Sequence, residues 1–325
     1  MAEPTHWAFP EDLQPDPDAL HFDLGRALQS AVMLRTEVPE DAFTASILGT
    51  ERIGNGMVIR EDGLILTIGY LITEAQTVWI TDHGDRAIEG YPLAYDFATG
   101  FGLVQALGKL ESPALRFGDP DHTRIDDEVV VLGHGGRNHT LQAKLSGRRE
   151  FAGYWEYLLD SALYTAPAHP QWGGTGLLNA DGALIGIGSL LVQESSPDGH
   201  STQGNMFVPV DLLVPILDDM VRFGRPRRPV RPWLGMYTTE SDGQLVVAGI
   251  AAGGPAAKAG VRQGDLVLEV AGDRVNALAT LLRRVWSMGA AGVEVPFTLA
   301  RDGAVVRVSV TSGDRADMLK KPLLH

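Results

Sequence analysis

Between Ala42 and Pro209 the apolar positions fall into short runs separated by turns. Examples are Gly56-Met-Val-Ile59, Leu64-Ile-Leu-Thr67, Thr77-Val-Trp-Ile80, Val129-Val-Val-Leu132 and Ala183-Leu-Ile-Gly-Ile187. Runs of this length bounded by turn residues predict strands rather than helices. Asp62-Gly63 and Asp181-Gly182 each join two runs, the dipeptide suiting the left-handed backbone of a tight hairpin. Many short strands at such spacing predict an antiparallel barrel or sandwich. Two segments break the pattern. Leu24, Leu28 and Val32 have helical spacing and predict a helix over 24–34. Leu212, Leu213, Ile216, Leu217 and Met220 predict one amphipathic helix from Asp211 to Phe223, stopped by Gly224.

A basic, proline-rich run, Arg225 to Pro232, then reads as a stiff linker rather than a nucleic-acid patch, its arginines being interleaved with prolines. Beyond it the strand pattern resumes at Leu245–Val247, Leu266–Leu268, Val293–Leu299 and Val305–Val310, with one helix over Asn276–Met288 and an Asp302-Gly303 hairpin turn. The chain therefore divides into a flexible acidic arm (1–23), a first β domain (24–224), the linker (225–232), a small β domain with one long helix (233–312) and a short, loosely held tail (313–325). The arm rests on composition: Met1 to Asp18 holds Glu3, Glu11, Asp12, Asp16 and Asp18 among four prolines.

Composition narrows the function classes. At 325 residues the chain suits two domains, and its 44% apolar and 21% charged residues are those of a folded protein. A formal net charge of −14 argues against nucleic acid and against anionic membranes. No cysteine is present, which removes disulfides and thiolate chemistry. No apolar stretch is long enough for membrane insertion, and the N-terminus lacks the basic and apolar regions of a secretory signal.

Several ordered motifs resemble the HtrA (Deg) type of trypsin-like serine protease. Gly54-Asn-Gly-Met-Val-Ile59 followed by Asp62-Gly-Leu-Ile-Leu-Thr67 resembles the strand pair that leads to that family's catalytic histidine. Val129-Val-Val-Leu-Gly-His134, Thr165-Ala-Pro-Ala-His-Pro170, Gly173-Gly-Thr-Gly-Leu177 and Met206-Phe-Val-Pro-Val-Asp211 follow in the family's order. Arg231-Pro-Trp-Leu-Gly-Met236, Gly254-Pro-Ala-Ala-Lys-Ala-Gly260 and Gly264-Asp-Leu-Val-Leu-Glu-Val270 resemble a PDZ domain. The likeness spans roughly residues 30–312 and implies a mostly β chain: a trypsin-like double antiparallel β-barrel followed by a small β+α PDZ domain.

Carried over position by position, the family's histidine falls on Tyr70, its aspartate on Gly100 and its serine on Gly173. The triad is degenerate, which implies a pseudoprotease with no catalytic residues of the ordinary kind. Glycine offers no nucleophile, and a phenol with a pKa near ~10 is a poor base at neutral pH. Gln171 and Trp172 alter the loop around the oxyanion site, and Trp172 is placed to fill the substrate cleft. A second reading keeps an endopeptidase with a relocated site, Thr175 acting as nucleophile with His134, His139 or His169; His134 and His139 are also the one candidate metal pair, although their spacing specifies none. A third is a chaperone-like quality-control oligomer, since the resemblance implies a homotrimer formed through N-terminal residues such as Leu24–Leu34.

Peptide binding is what the resemblance leaves intact. Trp233, Leu234, Gly235 and Met236 match the loop whose N–H groups receive a peptide's terminal carboxylate, and the peptide would extend as a strand beside Met236–Thr239. Leu278, Leu281 and Leu282 lie on the helix expected to wall the groove, with Leu278 and Leu282 chosen as contacts. The implied partners are C-terminal or unfolded segments of other proteins, with no cofactor and no metal. As written the chain reads as cytoplasmic; the resemblance implies the periplasm for a chain trimmed of its leader.

Overall fold

The computed structural model describes residues 7–195 and 201–321. Contacts divide it into two compact units. The second holds Glu150–Asp160 and Arg227–Leu319, and the first holds the remaining described residues.

The first unit contains two closed, six-stranded antiparallel barrels. One is built from β1 (Ala31–Glu37), β2 (Glu51–Val58), β3 (Leu64–Ile68), β4 (Thr77–Thr81), β5 (Ala87–Tyr95) and β6 (Phe101–Ala106), in the order β1-β2-β3-β6-β5-β4. The other uses β7 (Glu128–Leu132), β8 (Thr140–Gly153), β9 (Tyr157–Ala166), β10 (Gly176–Leu178), β11 (Leu184–Ser195) and β12 (Ser201–Pro209), in the order β10-β11-β12-β9-β8-β7. Closure leaves no unpaired edge strand. Alternate residues Val129 and Val131, then Leu141, Ala143 and Leu145, point inward and pack with Leu163, Leu177, Ile185 and Phe207 as the second barrel's core. The hairpin at Asp62-Gly63 joins β2 to β3, with Gly63 at φ +83.

The second unit is a sheet ordered β13-β14-β15-β17-β18, formed by β13 (Met236–Ser241), β14 (Gln244–Ile250), β15 (Leu266–Val270), β17 (Glu294–Arg301) and β18 (Ala304–Thr311), with the short β16 (Asp273–Arg274) paired to β15. The helix Leu278–Ser287 buries Leu278, Ala279, Leu281, Leu282 and Val285 against it. Asp302 and Gly303 both take positive φ, +50 and +79, at the last hairpin.

Five expectations from the sequence change. The helix expected over 24–34 is only Leu24–Leu28, capped by Asp23 accepting from the Arg26 N–H at 2.9 Å. Residues from Ala31 form β1, which pairs with both β2 and β4; a short helix and inward strand positions together mimic the helical spacing. Leu24, Ala27, Ala31, Val32 and Leu34 are all buried within the chain, while Leu28 and Met33 stay partly exposed. The single helix expected over 211–223 is one 3₁₀ turn at Val210–Leu212 and a helix at Leu217–Phe223. Pro215 separates them, lacking the N–H that a continuous helix needs and disfavouring helical backbone at the residue before it.

The described part of the arm does not stand free. The Trp7 ring stacks on His139 with centroids 4.5 Å apart, the Phe9 N–H donates to the Asn138 carbonyl at 2.9 Å, and Phe9 and Leu13 pack on the second barrel's core. Three apolar side chains thus outweigh a composition rich in Asp and Pro; residues 1–6 of the expected arm lie outside the described residues. The tail is tied as well, since the Lys320 N–H donates to Glu74 Oε1 at 2.9 Å and its ammonium pairs with Asp41. Residues 322–325 of the tail lie outside the described residues. Finally, a division by chain order assigns Glu150–Asp160 to the first domain, whereas contacts place this end of the β8–β9 hairpin in the second unit.

Candidate active site and peptide-binding loop

The loop that carries Gly173 runs between β9 and β10 and is held by Asn55 of β2. Asn55 donates its N–H to the Gly173 carbonyl at 2.8 Å and its Nδ2 to the Gln171 carbonyl at 2.9 Å, while its Oδ1 accepts from the His134 N–H at 2.8 Å. The approach is so close that a Cβ on Gly174 would lie 1.8 Å from the Asn55 carbonyl oxygen, and Gly174 has φ +76. Only glycine meets both conditions.

Tyr70 sits on the 3₁₀ turn Gly69–Leu71 that follows β3. Its hydroxyl donates to the Ser189 carbonyl at 2.9 Å. A Cβ built on Gly173 would come within 2.9 Å of that same hydroxyl oxygen, so the phenol occupies the space a side chain at 173 would enter. Burial pushes the Tyr70 pKa far above the ordinary phenol value, although a hydrogen bond with the Trp172 side chain opposes the rise. The Tyr70 phenol is therefore neutral near pH 7 and a poor base. Gly100 has φ +84, donates to the Asp96 carbonyl at 2.7 Å and accepts from the Gly69 N–H at 2.7 Å. Asp96 spends its Oδ2 on the N–H and hydroxyl of Thr99.

Thr175 is fully buried, and its hydroxyl donates to the Trp172 carbonyl at 2.9 Å. The three histidines singled out above contact backbone carbonyls: His134 Nε2 lies 3.1 Å from the Asp82 oxygen, His139 lies between the His134 and Trp7 oxygens, and His169 Nε2 is 2.9 Å from the His139 oxygen. His169 is fully buried, and burial drives its pKa down to about 4, so it is neutral near pH 7. Its Nδ1 accepts the Gln171 N–H at 3.1 Å. In serine proteases the oxyanion is held by the N–H of the nucleophile and of the residue two before it. At this loop the second of those donors is turned onto an imidazole. Among the described residues no group of three or more His, Asp or Glu converges as metal ligands.

In the second unit, Trp233 exchanges N–H···O bonds with Gly313 at 3.0 and 2.9 Å, which fixes the start of the loop. Leu234 and Met236 turn their side chains into the core, and Gly235 between them has φ +67. That geometry aims the loop amides at a common acceptor. The acceptor is Glu156: Leu234 N–H donates to Oε2 at 2.9 Å and Met236 N–H to Oε1 at 3.0 Å. Burial raises the Glu156 pKa to about 7, against the pull of these N–H groups and of Arg315. Leu278, Leu281 and Leu282 are all buried in the unit's core, together with Leu158. The sequence reading missed Asn55, Ser189 and Glu156. For Glu156 a signal existed, a lone acid within Tyr154-Trp-Glu-Tyr157 between two long strands.

Residues 54–187 match the trypsin-like peptidase domain and residues 232–311 match the PDZ domain. The solved structure of the HtrA-type protease AlgW with a tripeptide superposes with a TM-score of 0.53 at 19% identity, covering 92% of this chain and 97% of that one. The fold is HtrA-type. A serine endoprotease from Yersinia pestis gives the same TM-score at 22% identity, over 90% of this chain and 96% of that one. Curated relatives include a probable periplasmic serine endoprotease, DegP-like, of Chlamydia pneumoniae, 24% identical over 276 residues, covering 79% of this chain and 54% of that protein. The periplasmic pH-dependent serine endoprotease DegQ of Escherichia coli is 25% identical over 276 residues, 80% of this chain and 59% of that protein. The chain thus spans a little over half the length of these relatives.

Proposed function

We propose that this HtrA-type chain is a pseudoprotease, a peptide-binding adaptor or scaffold with no Ser-His-Asp peptidase activity. The observation that carries the reading is the Tyr70 hydroxyl, 2.9 Å from the place where a side chain on Gly173 would begin. Amide hydrolysis by this route needs a nucleophile, a base and a group that orients the base. Glycine supplies no nucleophile, and a buried phenol with a raised pKa is no base near neutral pH. The Gln171 N–H, committed to His169, further weakens the contribution of roughly 10³–10⁴-fold that an oxyanion hole and binding leave behind in triad-deleted serine proteases. Thr175 does not replace the serine in this reading, its hydroxyl being buried and bonded to a carbonyl.

What the chain keeps is the loop Trp233–Met236, whose amides suit a carboxylate, and the edge strand β13, to which an extended peptide adds by main-chain bonds. Its partners are C-terminal or unfolded segments of other proteins, and its place is with its relatives in the periplasm. The test is incubation of the full chain with unfolded casein under conditions in which a peptidase control degrades it. Casein retained by the protein and uncut is the expected result. Cleavage that disappears in Thr175→Ala would establish the relocated endopeptidase instead.

A further inference from the structure

The carboxylate-binding loop already holds a carboxylate from its own chain. Three contacts, all within the second unit, reproduce what a bound C-terminal peptide makes. The Glu156 carboxylate accepts the Leu234 and Met236 N–H groups at 2.9 and 3.0 Å. Two residues earlier, the Tyr154 carbonyl accepts the Thr238 N–H at 3.2 Å, taking an outward-facing main-chain donor of the edge strand β13. Two residues later, Leu158 is buried in the core with Met236, Leu278 and Leu282. The Tyr154 ring meets the Tyr237 ring edge-on at 6.3 Å, and Arg283 on the long helix pairs with Glu150 and Asp160, the two ends of the segment. Glu156 itself has φ +63, a left-handed conformation unusual for a residue with a side chain and held here by its bonds.

We propose that Tyr154–Leu158 is a built-in ligand of the carboxylate-binding loop, so that a peptide with a free C-terminal carboxylate is captured only when Glu156 leaves the loop. The inference rests on the peptide-binding reading above and adds its regulation. Both carboxylates need the same two amides, so their binding is mutually exclusive. The competition favours the tethered group, which is already confined near its site and loses less freedom on docking than a peptide from solution. An outside peptide therefore has to bring more than a carboxylate, namely side chains or strand contacts that exceed those of Tyr154 and Leu158.

The experiment compares the full-length wild type with E156A in two readouts. Hydrogen exchange reports protection of the Leu234 and Met236 amides. Fluorescence anisotropy reports binding of a labelled decapeptide library of random sequence ending in Val, Leu or Phe, with free carboxylates, against the same library amidated. E156A is expected to lose amide protection and to bind the free-carboxylate library at least tenfold more tightly, with no gain for the amidated one. E156Q, which keeps the shape and one acceptor oxygen, is the second variant should E156A fail to fold, and is expected to fall between the two. Unchanged protection of Leu234 and Met236 in the variant overturns the inference whatever the peptides do, as does a wild type that binds the library as tightly as E156A. Protection lost with neither library bound refutes the peptide-binding reading, and the gating with it, while leaving the docking of Glu156 in place.

Discussion

Placing a serine at 173 tests directly whether Tyr70 fills the nucleophile's space. A Cβ there would lie 2.9 Å from the Tyr70 hydroxyl oxygen, and the next atom of that ring, Cζ, is at an ordinary 3.7 Å. The oxygen has to retreat by about 0.5 Å, which strains or breaks its bond to the Ser189 carbonyl in a close-packed interior. Overpacking of this kind costs about 1–3 kcal/mol, and a buried carbonyl left unpaired costs a similar amount. G173S should therefore lower stability by about 2–3 kcal/mol. Y70F alone should cost about 1–2 kcal/mol for the lost hydroxyl bonds. In the Y70F background the obstructing oxygen is gone, so G173S should cost under about 1 kcal/mol, giving a coupling of about 1–3 kcal/mol between the two positions. Urea unfolding of the four proteins, compared at unchanged slope, measures the cycle. If G173S costs the same in both backgrounds to within about 0.5 kcal/mol, Tyr70 does not occupy that space and the reasoning is wrong.

Two further predictions concern pH. His169 is neutral in the fold with a pKa of about 4, so the folded protein binds fewer protons than the unfolded chain between pH 6.5 and 4. Its contribution is fully present above pH 6.5 and is lost as the pH falls toward 4, amounting to about 2 kcal/mol by pH 5. Urea midpoints at pH 7 and pH 5 should show this loss, and H169Q should reduce it. Glu156 has the opposite sign: docked on the loop it holds its proton to about pH 7, whereas a free glutamate releases it near 4.5. Docking is thus strongest below pH 4.5, weakens as the pH rises to about 7 and levels off above. The groups around it are Arg315, which lowers its pKa, and the phenols of Tyr237 and Tyr154. The Glu156 carboxyl carbon should titrate with an NMR midpoint near 7, and the protection factors of the Leu234 and Met236 amides should fall from pH 5 to 7.5. A midpoint near 4.5 would mean that the carboxylate is not docked.

The strands were legible because each barrel buries alternate or continuous apolar residues locally, as in Val129–Leu132 and Leu64–Thr67, and because Asp-Gly turns mark their ends. The helices were less so. Periodicity alone did not separate a short helix from the inward positions of β1, and the weight of Pro215 was missed beneath a good amphipathic pattern. Composition misleads at the N-terminus, where Trp7 and Phe9 find imidazole partners, His139 and His169, from a distant part of the chain. At the candidate site, ordered motifs single out Tyr70, Gly100 and Gly173. The bond from Gln171 to His169 is local, two residues apart, and depends on the turn the loop takes, while the bond from Tyr70 to Ser189, 119 residues away, depends on tertiary packing and leaves no mark in the spacing. Glu156 was hidden for the same reason: a hairpin acid becomes a ligand only when its hairpin meets the loop.

An activated nucleophile in the 171–176 loop is what would separate a working peptidase from the proposed pseudoprotease. Incubation of the full-length protein with a fluorophosphonate probe, read by intact mass, tests for it most directly. No adduct is expected after hours at pH 7–8, beside an active serine protease labelled to completion. One probe per chain, located on Thr175 or on any other hydroxyl of the 171–176 loop, would contradict the pseudoprotease reading.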